Sequence, residues 1–66
     1  MNEKLRQLRA EKGLTLKEVA TQLGMPLSTY SNYEQGIREP SLAVFKQICD
    51  FYDVSADYLL GRTSFQ

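Results

Sequence analysis

The segment 28–35, STYSNYEQ, places short polar side chains at helical spacing and includes two tyrosines three residues apart. On a helical wheel, Tyr30 and Tyr33 fall on one side together with Glu34. Because aromatic rings bury a large area, we expect both tyrosines in a core, with their hydroxyls at its edge. The opposite side is polar and uncharged and consists of Ser28, Ser31, Asn32 and Gln35, with Leu27 and Thr29 at its borders.

This uncharged side could hydrogen-bond the edges of DNA bases. An asparagine amide can bond an adenine edge twice, a serine hydroxyl can bond either kind of base, and a leucine can contact a thymine methyl. The alternative is an ordinary solvated helix face. Solvated faces usually carry Lys, Glu and Arg, which form helices better than Ser, Thr and Asn. The choice of poor helix formers therefore favours a surface fitted to a partner.

Two opposite charges are expected to meet beside the core. The segment Leu5–Arg9 repeats the spacing of the segment Tyr30–Glu34, so each helix carries one charge next to its apolar side. We predict a partly buried ion pair between Arg9 and Glu34. The alternative is two unrelated surface charges whose stems lie along apolar surface.

Start and stop signals predict the helices that position these residues. The first helix is expected over about Asn2–Lys12 and ends at Gly13, since glycine best tolerates the left-handed conformation of a helix C-terminus. The second begins after Thr15, because Thr15 and Glu18 can cap each other's backbone amides. It is expected to end at Gly24.

Three further helices follow. The third runs from Pro26 or Leu27 to Gln35, with Gly36 after it. Ser41 is a good N-cap for a fourth helix, and Ser55 for a short fifth one that ends at Gly61. The apolar stripe of the fourth helix is predicted to contain Leu42, Phe45, Ile48, Cys49 and Tyr52. No segment alternates with a period of two, so the fold class is all-α, a compact five-helix domain.

Length and composition limit the function. A chain of 66 residues supports a single domain over residues 1–66. It contains one cysteine and no histidine, so neither an internal disulfide nor a Cys/His zinc site is expected, and catalysis is not expected either. We predict no metal and no cofactor. There is no apolar stretch long enough for a membrane span and no secretory signal, which favours a cytoplasmic location.

Charge is unevenly distributed along the chain. The formal net charge is zero, but residues 1–33 carry five basic and three acidic residues, whereas residues 34–66 carry three basic and five acidic ones. A domain polarised in this way could present a mildly positive face to a polyanion such as DNA.

Taken together, the segments resemble the phage-repressor-like, Xre/Cro-type helix-turn-helix family of DNA-binding proteins. The resemblance covers nearly the whole chain. It is carried by LRQLRAEKGLTLKEVATQLG (5–24), STYSNYEQG (28–36), Pro40-Ser41 and VSADYLLG (54–61).

The resemblance implies a helix-turn-helix over about residues 16–35, whose second helix lies in the major groove of double-stranded DNA. By matching positions, the residues facing base edges would be Leu27, Ser28 and Asn32. Those near phosphates would be Thr29, Gln35 and Arg38. Arg9 and Glu34 sit where some members keep a buried ion pair.

The sequence departs from the family pattern at two positions. Many members have a phosphate-binding glutamine where this chain has Leu16, so that contact is expected to fall to backbone amides and Lys17. Many members cap the helix in the groove with Ser or Thr, where this chain has Pro26, which suits a first-turn position but offers no side-chain cap.

The leading hypothesis is a sequence-specific transcriptional regulator, most simply a repressor, acting as a homodimer on a palindromic operator at a prokaryotic or phage nucleoid. Phe65, apolar for a tail, could assist the dimer or belong to a disordered end. The alternative is a helical protein-interaction module, such as an antitoxin or the partner of an antirepressor. Its candidate surface carries Asp50, Asp53 and Asp57.

Overall fold

The computed structural model describes residues 1–62. Phe65 lies outside the described residues. Within them the fold is all-helical, as predicted, and contains α1 (Asn2–Lys12), α2 (Leu16–Leu23), α3 (Leu27–Gln35), α4 (Leu42–Tyr52) and α5 (Ala56–Leu59). α2 and α3 form the helix-turn-helix.

Side-chain caps begin three of the helices at the predicted residues. At α2, the Thr15 hydroxyl accepts a hydrogen bond from the Glu18 amide at 3.1 Å, and the Glu18 carboxylate accepts one from the Thr15 amide at 2.9 Å. Ser41 and Ser55 accept bonds from the third amides of α4 and α5. Because these bonds satisfy amides that have no partner within the helix, the local sequence alone sets where α2, α4 and α5 begin.

The helix C-termini follow the glycine pattern with two differences. The first three helices end at glycines with φ between 67° and 76°. α4 ends instead at Asp53, which has a φ of 55° and is the one non-glycine residue of positive φ among residues 1–62. α5 ends at Leu60 in a right-handed conformation, and the predicted stop, Gly61, follows one residue later. Aspartate tolerates the left-handed region better than most residues, so the stop at Asp53 carries little sequence signal.

The core lies between the helix-turn-helix and the other three helices. α3 packs against both α1 and α2, and α4 packs against α2 and α5. The buried apolar residues come from all five helices and are Leu5, Leu8, Val19, Ala20, Leu23, Tyr30, Tyr33, Ile48, Cys49, Tyr52, Tyr58 and Leu59. None of these helices is long enough to be stable alone, so each depends on this shared core.

The predicted stripe of α4 is wrong at its first member. Leu42 is 71% exposed and Phe45 is half-buried, whereas Ile48, Cys49 and Tyr52 are buried. Leu42 is the first residue of α4, a turn before the helix reaches the core, and lines an open groove with Pro40. Helical periodicity gives a side chain's direction but not whether a neighbouring helix covers it.

None of the helices in residues 1–62 combines the length and the apolarity that crossing a membrane requires. The same residues contain no group of acidic or cysteine side chains placed to hold a metal ion.

Candidate nucleic-acid interface

α3 has two faces of different character. Its inner face consists of Tyr30, Tyr33 and Glu34, all buried. Its outer face consists of Leu27, Ser28, Thr29, Ser31, Asn32 and Gln35, all exposed or half-buried. This division follows the helical wheel, because α1 and α2 cover one side of α3 and leave the other uncovered.

Arg9 and Glu34 form a two-pronged ion pair between α1 and α3. Arg9 Nε lies 2.8 Å from Glu34 Oε2, and Arg9 Nη2 lies 3.1 Å from Oε1. The third guanidinium nitrogen, Nη1, donates to the carbonyl of Leu14 at 3.0 Å. The Glu34 side chain is 4% exposed and that of Arg9 21%. The hydrogen bond to Glu34 raises the pKa of Arg9, so the guanidinium stays charged, and the two-pronged bond fixes α3 to α1.

A second buried contact joins α3 to α4. The hydroxyl oxygens of Tyr30 and Tyr52 lie 2.6 Å apart and share a hydrogen bond. The expectation that the tyrosine hydroxyls stay at the edge of the core is therefore wrong for Tyr30, which is fully buried. Burial raises the pKa of both phenols, so both stay protonated and each can donate. No local sequence pattern indicates this bond, because its partners lie 22 positions apart.

The predicted base-facing residues lie together on the outer face. Leu27 is 46% exposed, Ser28 is exposed and Asn32 is half-buried. Gln35, predicted near a phosphate, donates to the Ser31 hydroxyl at 2.7 Å. This bond lies within the outer face and restricts the conformation of the Gln35 side chain. The outer face thus presents hydroxyl and amide groups to a partner and contains no charged side chain.

The other predicted phosphate-contacting residues are all exposed or half-buried. Lys17 is exposed in the first turn of α2, Thr29 is half-buried in the first turn of α3, and Arg38 is exposed in the loop after α3. The amide of Arg38 donates to the carbonyl of Asn32 at 3.4 Å, which holds the start of that loop against the end of α3. Two cationic side chains, Lys17 and Arg38, thus come from segments on either side of α3 in the chain.

The N-terminus of α3 is open. Pro26 takes the N-cap position with extended backbone, not the first helical position, and no side chain caps the helix. Its carbonyl accepts bonds from the amides of Thr29 and Tyr30. Within residues 1–62, the amides of Leu27 and Ser28 have no acceptor. Since a helix N-terminus carries partial positive charge, this end is suited to an anionic group such as a phosphate.

Arg6 is a residue that the sequence reasoning missed. Its guanidinium donates to the carbonyl of Glu34 at 3.3 Å, near the C-terminus of α3. Arg6 lies three residues before Arg9, so the two share one side of α1. That spacing was the available signal. A cation at this end complements the partial negative charge of the helix C-terminus.

Comparison with known proteins identifies the class. The model of the family described as helix-turn-helix matches residues 5–59. The chain belongs to this helix-turn-helix family. The family is described as helix-turn-helix and relatives of the chain are named as transcriptional regulators, in agreement with the expectation that the chain is not an enzyme.

Named relatives give more detail. The chain is 42% identical over 60 residues to the HTH-type transcriptional regulator AnsR of Bacillus subtilis (strain 168), covering 91% of this chain and 52% of that protein. It is 38% identical over 53 residues to the cryptic phage CTXphi transcriptional repressor RstR of Vibrio cholerae, covering 80% of this chain and 48% of the repressor.

A third relative is named for the opposite effect. The chain is 41% identical over 60 residues to the HTH-type transcriptional activator BcrR of Enterococcus faecalis, covering 91% of this chain and 29% of the activator. The chain spans about half the length, or less, of these curated relatives. No solved structure matches it.

Proposed function

We propose that this chain is a sequence-specific, double-stranded DNA-binding transcriptional regulator that inserts α3 into the major groove. The division of α3 into a buried inner face, whose Glu34 and Tyr30 bond to other helices, and an uncharged polar outer face supports this most directly. An α-helix fits the major groove, where each base pair presents its own pattern of donors and acceptors. The regulators and the repressor among the relatives support the same class of function.

The proposal assigns a role to each predicted contact. Leu27, Ser28 and Asn32 contact base edges. The phosphates are contacted by four other side chains, those of Lys17, Thr29, Gln35 and Arg38. The open amides of Leu27 and Ser28 offer a further phosphate contact, which no side-chain cap blocks. Phosphate contacts set the register of the protein on the duplex, and base contacts then provide sequence preference.

We further propose that residues 1–66 act as one domain and bind as a homodimer to a palindromic operator. α3 contains nine residues and is therefore about 14 Å long, the length of about four base pairs. So short a helix can select only a short half-site. Two copies on half-sites one helical turn apart, about 34 Å, extend the sequence selected.

Repression is the proposed effect, with the prokaryotic or phage nucleoid as its location. The RstR relative is named a repressor. The BcrR relative is named an activator, so a reporter gene placed behind the selected operator is the assay that distinguishes the two. Reduced expression on adding the protein supports repression.

Selection of bound duplexes from a random DNA pool tests the proposal. The expected result is a two-fold-symmetric sequence for the wild type and a degenerate base position for Asn32→Ala. Gln7→Ala, a change of an exposed residue on α1, is the matched control and should return the wild-type sequence. Recovery of no sequence by the wild type would contradict the proposal.

A protein-interaction module is the second candidate, favoured by one observation. Asp50, Asp53 and Asp57 are all exposed at the acidic end of the chain, near the junction of α4 and α5. If Asn32→Ala leaves DNA binding intact while Asp57→Asn abolishes binding of an antirepressor or another protein partner, this second candidate is correct.

A further inference from the structure

A hydrogen bond from outside the helix-turn-helix holds the turn between its two helices. The side-chain amide of Gln47, on α4, donates to the carbonyl of Leu23 at 3.1 Å. Leu23 is the last residue of α2. Its carbonyl belongs to the peptide group that leads into Gly24, where the chain changes direction toward α3.

This peptide group is held at both of its polar atoms. Its N–H, that of Gly24, donates to the carbonyl of Thr21 at 3.1 Å, within α2. Its oxygen accepts the bond from Gln47. The bond to Thr21 therefore fixes the orientation of the peptide plane relative to α2. The bond from Gln47 fixes it relative to α4, which packs in the core.

Packing contributes little at the same position. A Cβ atom built on Gly24 would meet no atom of another segment within 4 Å, so nothing packs on that side of its Cα. The next residue, Met25, is half-buried against the core. Rotation about the Gly24 backbone bonds would swing α3 relative to α2. The Met25 N–H, which donates to the Ala20 carbonyl at 3.0 Å, and the packing of α3 on α1 and α2 restrain the chain after Gly24, whereas the bonds to Thr21 and Gln47 restrain the peptide plane before it.

We infer that Gln47 is a positioning residue: by fixing the Leu23–Gly24 peptide to α4, it sets the angle at which α3 leaves the turn and presents its outer face. This inference rests on the proposed function only for its consequence in DNA binding. Gln47 is itself exposed, so loss of its amide lets water replace it at the Leu23 carbonyl and leaves the core packing unchanged. Its removal should therefore affect specificity more than folding.

The test compares Gln47→Met, which keeps the length of the side chain but cannot donate, with Gln7→Met as the matched control. Within residues 1–62, the Gln7 side chain makes no hydrogen bond. The measured quantity is the ratio of dissociation constants for random duplex and for the duplex selected by the wild type. Gln47→Met should lower this ratio about fivefold, as expected if the reoriented α3 loses about one hydrogen bond to the bases. Its melting temperature should stay close to that of the control.

Gln47→Lys restores a donor and should restore most of the ratio. Its added charge raises affinity for both duplexes and therefore largely cancels in the ratio. In the free protein, backbone amide NMR signals of α3 should shift in Gln47→Met, while those of the first turns of α1 stay in place.

The outcomes separate this inference from the proposed function. If the wild type selects no duplex, the proposed function fails, and the NMR comparison still tests the positioning. An unchanged ratio with unmoved α3 signals overturns the inference. The inference is also overturned if the ratio falls only together with the melting temperature and Gln47→Lys does not restore it. That result is expected of a residue that only stabilises the fold.

Discussion

The two faces of α3 use polar groups in opposite ways. On the inner face, the Glu34 carboxylate and the Tyr30 hydroxyl are buried, and each is bonded to a residue of another helix. On the outer face, the one side-chain bond among residues 1–62 is internal, from Gln35 to Ser31. Inner polar groups thus fix where the helix lies, and outer groups stay available to a partner. Changes on the inner face should therefore lower stability, and changes on the outer face should lower DNA binding.

The largest expected effect is on the ion pair of the inner face. Glu34→Ala leaves the partly buried Arg9 without its carboxylate and should lower the free energy of unfolding by about 3 kcal/mol. Chemical denaturation of Arg9→Ala, Glu34→Ala and the double variant measures the coupling. The two single losses should sum to clearly more than the loss in the double variant; simple additivity would show that the pair does not act as a unit.

The tyrosine contact should give the next largest effect. Tyr30→Phe removes one hydroxyl and leaves that of Tyr52 buried without its partner, at a cost of about 2 kcal/mol. Denaturation of the double variant Tyr30→Phe, Tyr52→Phe is the control, since it leaves no unpaired hydroxyl. It should be more stable than the sum of the single changes indicates. Equal stability of Tyr30→Phe and the wild type would contradict this role.

On the outer face, Asn32→Ala should weaken binding to the selected duplex about tenfold, equivalent to about 1.4 kcal/mol. The free energy of unfolding should change by less than about 0.5 kcal/mol, because the side chain supports no buried contact. Fluorescence-anisotropy titration and denaturation of the same samples check both quantities. A loss of stability as large as that of Glu34→Ala would remove the distinction between the faces.

Beside the outer face, Arg38→Ala should weaken binding to all duplex sequences alike. If Arg38 contacts one phosphate, the slope of log affinity against log salt should become shallower by about 0.9. Lys46→Ala, which removes the same charge from an exposed position on α4, is the control and should leave the slope nearly unchanged. Equal slopes for the two variants would argue against a phosphate contact by Arg38.

The smallest expected effect on stability concerns the N-terminus of α2. Side chains cap this N-terminus, whereas none caps that of α3. Hydrogen bonds from the backbone and side chain of Thr15 lower the pKa of Glu18 below its usual value near 4.5. Glu18 therefore contributes its stability above pH 4.5, and this contribution is lost as the pH falls through the lowered pKa. Melting temperatures of Glu18→Gln should vary less between pH 5 and pH 3 than those of the wild type. Parallel profiles would contradict the capping role.

The sequence predicted those parts of the fold that depend on neighbouring residues. The caps at Thr15, Ser41 and Ser55 and the stop at Gly36 act within one helical turn, so their signals are local. The amphipathic wheel of α3 was predictable for the same reason. What the sequence missed depends on how helices approach each other: the exposure of Leu42, and the bonds from Tyr30 to Tyr52 and from Gln47 to Leu23.

The candidate site shows the same limit. Positions on the outer face follow from helical spacing, but the bond between Gln35 and Ser31 depends on side-chain conformations that spacing leaves open. The open amides of Leu27 and Ser28 follow from Pro26 being the N-cap. Proline is common at the first helical position, so the sequence did not show that the helix begins one residue later.

The placement of the tyrosines gives the protein an optical probe of its own. The chain has no tryptophan, and all four tyrosines, Tyr30, Tyr33, Tyr52 and Tyr58, are buried. Its tyrosine absorption and emission therefore come from rings inside the core and from none on the outer face of α3. Tyrosine spectral changes on denaturation report the state of the core without a label, and the outer face of α3 presents no tyrosine to a partner.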